Sequence, residues 1–214
     1  MEDVLDVYQR PPDPKRPLVC LDEGSKQLLE DSRPPLPMQT QEGERAAHPI
    51  REDYEYVREG VCSFFLTFAP LFSWRHVSVT KRRTGLDFAF VVQDLVDVQF
   101  PDAEKVVLIL DNLNTHTAAS LYEAFEPAEA KRIADKLEIH YTPKHGSWLN
   151  MAEIELSVLG RQCLDRRLPD VKTLTREIAA WEQARNAAEM TVHWQFTTAD
   201  ARVKLKKLYP NILP

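Results

Sequence analysis

Two apolar runs in this chain end on an acid. Val106-Val-Leu-Ile-Leu110 passes directly into Asp111, and Leu18-Val-Cys-Leu21 passes into Asp22, with Glu23 beside it. A short unbroken apolar run reads as a strand buried on both faces, the kind found at the centre of a helix-covered sheet. An acid at the C-terminal edge of such a strand sits where open α/β sheets hold their ligands. A carboxylate there needs a cation, a set of donors or water. Read alone, Asp111 could equally end a strand and open a turn; the repeat of the pattern at Asp22 argues for a shared purpose. Asn112, Asn114, Thr115 and His116 follow Asp111 and could build a polar site around it.

A third acid is available from Glu153 or Glu155, which open the helix predicted from about Met151 to Leu164. With Asn150 as N-cap, Glu153 falls at N3 and could simply answer the cap in a capping-box-like pair. It could also reach across the sheet edge toward Asp22 and Asp111. Helical geometry alone leaves Glu153 and Glu155 both open. Three acids converging from separate elements repel one another unless a cation lies between them. Oxygen-only ligands suit Mg²⁺ or Mn²⁺, and two such ions about 4 Å apart form a clamp for in-line attack on a phosphodiester.

The elements that must position these acids follow from the pattern of the chain. Prolines 11, 12, 14 and 17 make residues 1–17 an extended arm. A strand ends near Asp22, and residues 24–52 form a long loop with one helical turn at Lys26 to Glu30. Val61 to Ala69 and Trp74 to Thr80 read as two further strands joined near Pro70, the second an edge strand with one wet face. The first three strands are expected to be antiparallel. Thr84 to Val98 has helical spacing. Ala118 to Leu137 is helical but divided by Pro127. Glu138 to Thr142 is a short strand, and the strands joined through helices are expected to be parallel. Asp170 caps a helix from Val171 to about Asn186, and a last helix spans about Ala199 to Leu208 before Pro210. The sum is a mixed five-stranded α/β layer with extra C-terminal helices. The domain division is an arm over 1–17, a catalytic domain over 18–165, and a helical extension over 166–214 packed on it.

The 214 residues carry 43% apolar and 28% charged side chains, an ordinary soluble composition. No apolar run is long enough to span a membrane, and Met1-Glu-Asp-Val has no signal-peptide character. Cys20, Cys62 and Cys163 are widely spaced among apolar neighbours and read as buried reduced thiols in a cytosolic protein. The net charge of −6 argues mildly against nucleic acid, yet basic residues cluster at Lys81-Arg82-Arg83, at Arg161 with Arg166-Arg167, and at Lys204 with Lys206-Lys207.

The three acid-bearing blocks together resemble those of DDE transposases. They are Leu18-Val-Cys-Leu-Asp-Glu23, Val107-Leu-Ile-Leu-Asp-Asn112 with His116, and Thr142-Pro-Lys-His-Gly-Ser-Trp-Leu-Asn-Met-Ala-Glu-Ile-Glu155. The likeness is to the bacterial insertion-sequence branch of the Tc/mariner superfamily. It extends over residues 15–210, including the tail Trp194-Gln-Phe-Thr-Thr-Ala-Asp-Ala-Arg202. It implies an RNase H-like fold, a DNA substrate, two Mg²⁺ or Mn²⁺ ions, and catalysis by Asp22, Asp111 and Glu153. Relatives commonly read Leu-Asn-Pro-Ile-Glu where this chain has Leu149-Asn-Met-Ala-Glu153, which places the third acid at 153. Such transposases also carry N-terminal helix-turn-helix modules. This chain starts almost at its first acid-ended strand, so a helix-turn-helix polypeptide or segment elsewhere is expected to read the transposon ends. A homodimer is compatible with the resemblance, and the place of action would be the bacterial cytoplasm at the nucleoid.

Candidate DNA contacts are Asn112, His116, Lys144, His145, Lys81, Arg82 and Arg83, each of which could instead be ordinary turn, loop or surface. Trp148 could stack on a base or pack at the helix entry; Trp181 and Trp194 are assigned to packing. Two rival functions stay open: a non-catalytic binding or assembly remnant, and another RNase H-like nuclease acting on RNA–DNA hybrids or structured DNA.

Overall fold

The computed structural model describes residues 1–41, 47–113 and 115–209. Asn114 and Pro210, both singled out from the sequence, lie outside them. The chain runs α1 (Glu2–Tyr8), β1 (Leu18–Asp31), β2 (Tyr56–Ala69), β3 (Trp74–Thr80), α2 (Gly85–Asp94), β4 (Val106–Leu110), α3 (Ala118–Ala124), α4 (Pro127–Asp135), β5 (Leu137–Tyr141), α5 (Met151–Leu159), α6 (Val171–Ala187) and α7 (Thr198–Lys204). The five strands lie in the order β3-β2-β1-β4-β5. β1–β2 and β2–β3 are antiparallel; β1–β4 and β4–β5 are parallel. Helical crossovers lead into the parallel strands, and the short turn at Pro70–Phe72 joins β2 to β3.

Alternation along the central strands sends side chains to two cores. Leu18, Cys20, Val107 and Ile109 pack with α1, α5, α6 and α7. Val19, Leu21, Val106, Leu108 and Leu110 pack with α2, α3 and α4. β4 is buried along its whole length, as a strand covered on both faces must be. Pro127 divides the helical stretch by starting α4 at N1, where its missing N–H costs nothing. α6 shields the edge strand: Asn186 Oδ1 accepts from the Arg75 amide at 3.0 Å, Asn186 Nδ2 donates to the Arg75 carbonyl at 2.9 Å, and Glu182 accepts from Val77 N–H at 2.8 Å. The three cysteines are free and buried. Among the described residues no helix is long and apolar enough to cross a membrane.

Two local expectations are corrected, and two helices gain a detail. Residues 1–17 are not simply an extended arm: Val4, Leu5, Val7 and Tyr8 of α1 are buried in the α5-side core. β1 does not end near Asp22 but continues to Asp31, replacing the expected loop and helical turn at Lys26 to Glu30. Its polar second half is held by the ladder to β2, from Ser25↔Ser63 to Asp31↔Tyr56. α2 and α5 each run on through a π-helical turn, over Leu95–Gln99 and Gly160–Leu164.

Candidate active site

Asp22 and Asp111 both lie just past the ladder that joins the two parallel strands. The β1–β4 pairing runs as far as Cys20 with Ile109; Asp22 follows two residues later within β1, and Asp111 is the first residue beyond β4. The two-residue period puts Asp22 in phase with Leu18 and Cys20 of the α5-side core, whereas Asp111, past the end of β4, turns its carboxylate to His116. Both are half-buried.

α5 enters over this same rim. Its N-cap, Asn150, is fully buried; Oδ1 accepts from Ala152 N–H at 3.1 Å and Nδ2 donates to the Leu21 carbonyl at 2.9 Å. That second bond ties the start of the helix to the residue before Asp22. Beneath the turn, the Tyr8 hydroxyl donates to the Leu149 carbonyl at 2.6 Å. Glu153 then falls in the first helical turn and is half-buried. It makes no capping box: the Asn150 side chain caps Ala152 instead.

The two glutamates have different surroundings. Glu155 is fully buried and faces two arginines: Arg75 Nε at 2.9 Å, and Arg185 Nε and Nη2 at 2.7 and 3.1 Å. Glu153, about 200° away around the helix at two residues' remove, has no ion-pair partner among the described residues.

The acids act on one another electrostatically. Burial pushes the Asp22 carboxyl up to about 7; the Glu23 amide opposes this by donating to Asp22 Oδ1 at 2.8 Å, and the charges of Glu23, Asp111 and Glu153 add to it. On the other face, His116 is fully buried against Phe88, with Nδ1 2.5 Å from Asp111 Oδ1 and Nε2 3.0 Å from Glu23 Oε2. Burial opposes the imidazolium, but Asp111 and Glu23 outweigh it and raise the His116 pKa to about 9. His116, expected as a DNA contact, is therefore turned inward, with both ring nitrogens facing carboxylates.

Among the described residues no three His, Cys, Asp or Glu side chains are closed around a point as a ligand shell. The donor set nevertheless suits a hard divalent cation. The groups are oxygen-only, they share one rim, and burial with their mutual repulsion holds a proton on Asp22 near neutrality that a cation would displace.

These shifts set a direction for stability in metal-free protein. Asp22 and His116 both titrate higher folded than unfolded, so the folded state binds more protons and each contribution is lost as pH rises. The window is 3.8 to about 7 for Asp22 and 6.5 to about 9 for His116. Urea unfolding in chelator should therefore show stability falling between about pH 5 and 9, with a shallower fall in Asp22→Asn. A wild-type curve that rises over this range would contradict the assignment.

The remaining candidates lie in exposed positions around the rim. Asn112 follows β4, and Lys144 and His145 lie between β5 and α5. Lys81, Arg82 and Arg83 follow β3, which runs parallel to β1 and ends level with Ser25. Among the described residues no carboxylate pairs with these three cations. Arg166 and Arg167 are engaged instead, with Glu177 and Asp31. Trp148 is 44% exposed and stacks on Trp194 at 6.5 Å. Trp181 is buried, donating to Gln162 Oε1 at 3.0 Å. Sequence reasoning gave no sign of the parts played by Asn150 and Arg75 in supporting the site. Asn150 as N-cap was legible, but its bond to Leu21 spans 129 positions and leaves no local trace.

A mixed five-stranded sheet of this order, flanked by helices and carrying acids on β1, directly after β4 and at the start of α5, is an RNase H-like fold. The family model for DDE superfamily endonucleases matches residues 17–175, and the chain belongs to that family. Solved structures with the same fold include the Mos1 transposase paired-end complex with the left transposon end (14% identity, TM-score 0.56, 88% of this chain and 56% of that one). A pre-cleavage Mos1 transpososome (14%, 0.57, 88% and 55%) and the Mos1 mariner paired-end complex with Mn (14%, 0.54, 88% and 55%) are similar. At this identity the likeness is one of fold, and the chain spans just over half the length of each. No curated protein matches.

Proposed function

We propose that this chain is the catalytic domain of a DDE transposase of the Tc/mariner superfamily, in its bacterial insertion-sequence branch, cleaving and joining DNA strands. The observation that carries the reading is the rim itself: Asp22 on β1 and Asp111 directly after the paired strand β4, with the charges of Asp111 and Glu153 both raising the pKa of Asp22. Asp22, Asp111 and Glu153 would hold two Mg²⁺ or Mn²⁺ ions. When bound, such ions supply the positive charge that in-line phosphoryl transfer demands at the attacking and leaving oxygens. The Mos1 complexes with DNA and with Mn support the DNA and metal parts of this reading.

The chain's own residues have separable tasks. His116 orients Asp111 through Nδ1 and places its charge beside Glu23 of β1. Asn150 fixes the start of α5 to β1. Lys144 and His145 would touch phosphate beside the acids, with Asn112 nearby, and Lys81, Arg82 and Arg83 would take the duplex further along the same edge. A helix-turn-helix segment or partner would read the transposon ends, a homodimer would bring two ends together, and the site of action would be the bacterial nucleoid.

The test is nicking of supercoiled plasmid by purified protein in Mn²⁺ or Mg²⁺, against a chelator control and Asp22→Asn and Glu153→Gln variants. Metal-dependent nicking lost in both variants is expected. Equal cutting by all three proteins would refute the reading, and preferential cutting of RNA–DNA hybrid would move it to another nuclease. For DNA binding, replacing Lys81, Arg82 and Arg83 by serine should weaken affinity uniformly across sequences. It should also flatten the slope of log affinity against log salt by about 2–3, at roughly 0.9 for each phosphate no longer neutralised. Fluorescence anisotropy between about 50 and 200 mM salt reads this, and an unchanged slope would remove these residues from the interface.

A further inference from the structure

We infer that the buried cluster of Glu155, Arg75 and Arg185 is a positioning device that sets the rotation of α5 and thereby aims Glu153 at the rim. The inference rests on the catalytic reading above. Glu155 and Arg75 are both fully buried, and Arg185 is nearly so. Ion pairs withdrawn from water so completely give little net stability over apolar side chains of similar size, so their presence points to a geometric task.

The geometry supplies that task. Arg185 meets both Glu155 oxygens, Nε on Oε1 and Nη2 on Oε2, so the plane of the carboxylate is fixed as well as its position. Arg75 approaches Oε1 at 2.9 Å, close in distance but out of hydrogen-bond line. Arg75 is itself immobilised: Nη1 donates to Asn186 Oδ1 at 3.0 Å and to the Ser73 carbonyl at 3.3 Å, and Nη2 donates to the Met190 carbonyl. The helix is thus gripped from β3 and α6 through Glu155, and from β1 through Asn150.

α5 spans nine residues before its π-helical turn, held at its entry by Asn150 and the Tyr8 hydroxyl, which accepts from Met151 N–H at 3.3 Å, and five residues after Asn150 by Glu155. Residues two apart on a helix differ by about 200° in direction, so fixing Glu155 against the arginines turns Glu153 to nearly the opposite side. A small rotation of the helix would swing Glu153 away from Asp22, and the paired Glu155 resists that rotation together with the buried Met151, Ala152 and Leu159. Glu155 thus acts through Glu153 and touches neither metal nor substrate.

The test uses two variants and two readouts. The triple replacement Arg75→Met, Glu155→Leu, Arg185→Met nearly keeps volume and removes every charge. Glu155→Asp keeps the charge and shortens its reach by one methylene, and serves where the triple variant does not fold. In metal-free protein, amide hydrogen exchange over Ala152 to Ile154 is expected to accelerate in either variant, with the rest of the protein at wild-type protection. The Mn²⁺ concentration giving half the maximal thermal shift is expected to rise at least about ten-fold, the scale of lost outer-shell support at metal sites. A folded variant with wild-type exchange in this turn and a wild-type Mn²⁺ midpoint would overturn the inference. Absence of any Mn²⁺ shift in wild type would instead defeat the catalytic reading, and the exchange measurement would still judge the positioning claim.

Discussion

Asp111→Asn should abolish metal-dependent DNA cleavage while leaving the fold in place. The substitution keeps the shape of the side chain and an oxygen that can still accept from His116 Nδ1, which lies 2.5 Å from Asp111 Oδ1. It removes one negative charge from a rim where Asp22, Glu23, Asp111 and Glu153 repel one another. Asp111 is half-buried and faces the buried His116 imidazolium, which keeps Glu23 opposite its other nitrogen, so a loss of about 1–3 kcal/mol is expected. The cost to catalysis is larger. Charge stabilisation through a bound divalent ion contributes several kcal/mol, and ~4 kcal/mol corresponds to a rate loss of about 10³-fold. Single-turnover nicking read beside a thermal melt separates the two effects. A variant with the wild-type melt and the wild-type rate would show that Asp111 is no ligand.

How much of this architecture is legible in the chain divides along a physical line. β4 is legible because five apolar residues in a row, bounded by charge on either side, suit a strand buried on both faces, and Pro127 marks its helix break because proline cannot sit in a helix interior. The order of antiparallel and parallel pairs follows from connection lengths. The second half of β1 is hidden: Glu23 to Asp31 is polar and shows no clean alternation, and its strand conformation comes from pairing with β2 residues 25 to 42 positions away. α1 is hidden for the same reason. It has seven residues and no side-chain cap, and it exists because Val4, Leu5, Val7 and Tyr8 find a core built by the other end of the chain. The acids are legible because each closes or follows an apolar block. Their supports are not. His116 reads as a solvent-facing contact, because its burial depends on Glu23, 93 positions earlier. The choice between Glu153 and Glu155 needs Arg75 and Arg185, which nothing near either glutamate announces.

The same pair of glutamates gives the second large effect, and it runs in opposite directions for the two residues. Glu155→Gln should destabilise the protein by about 3–5 kcal/mol, because it leaves the two arginine cations without their counter-charge inside the core. For a chain of this length that is a fall in melting temperature of roughly 10 °C. Arg75 suffers most, since it is fully buried and its remaining partners are neutral oxygens of Ser73, Asn186 and Met190. Glu153→Gln should leave the melt unchanged or slightly raised, because it removes one of the charges that push Asp22 upward, and among the described residues no arginine or lysine depends on it. Its cleavage rate should nevertheless fall as far as that of Asp111→Asn. Two glutamates of one helix, separated only by Ile154, would then be told apart by a single melt and a single nicking assay. If Glu155→Gln melts like wild type while Glu153→Gln unfolds early, the burial pattern of α5 is inverted, and the acid aimed at the rim is Glu155.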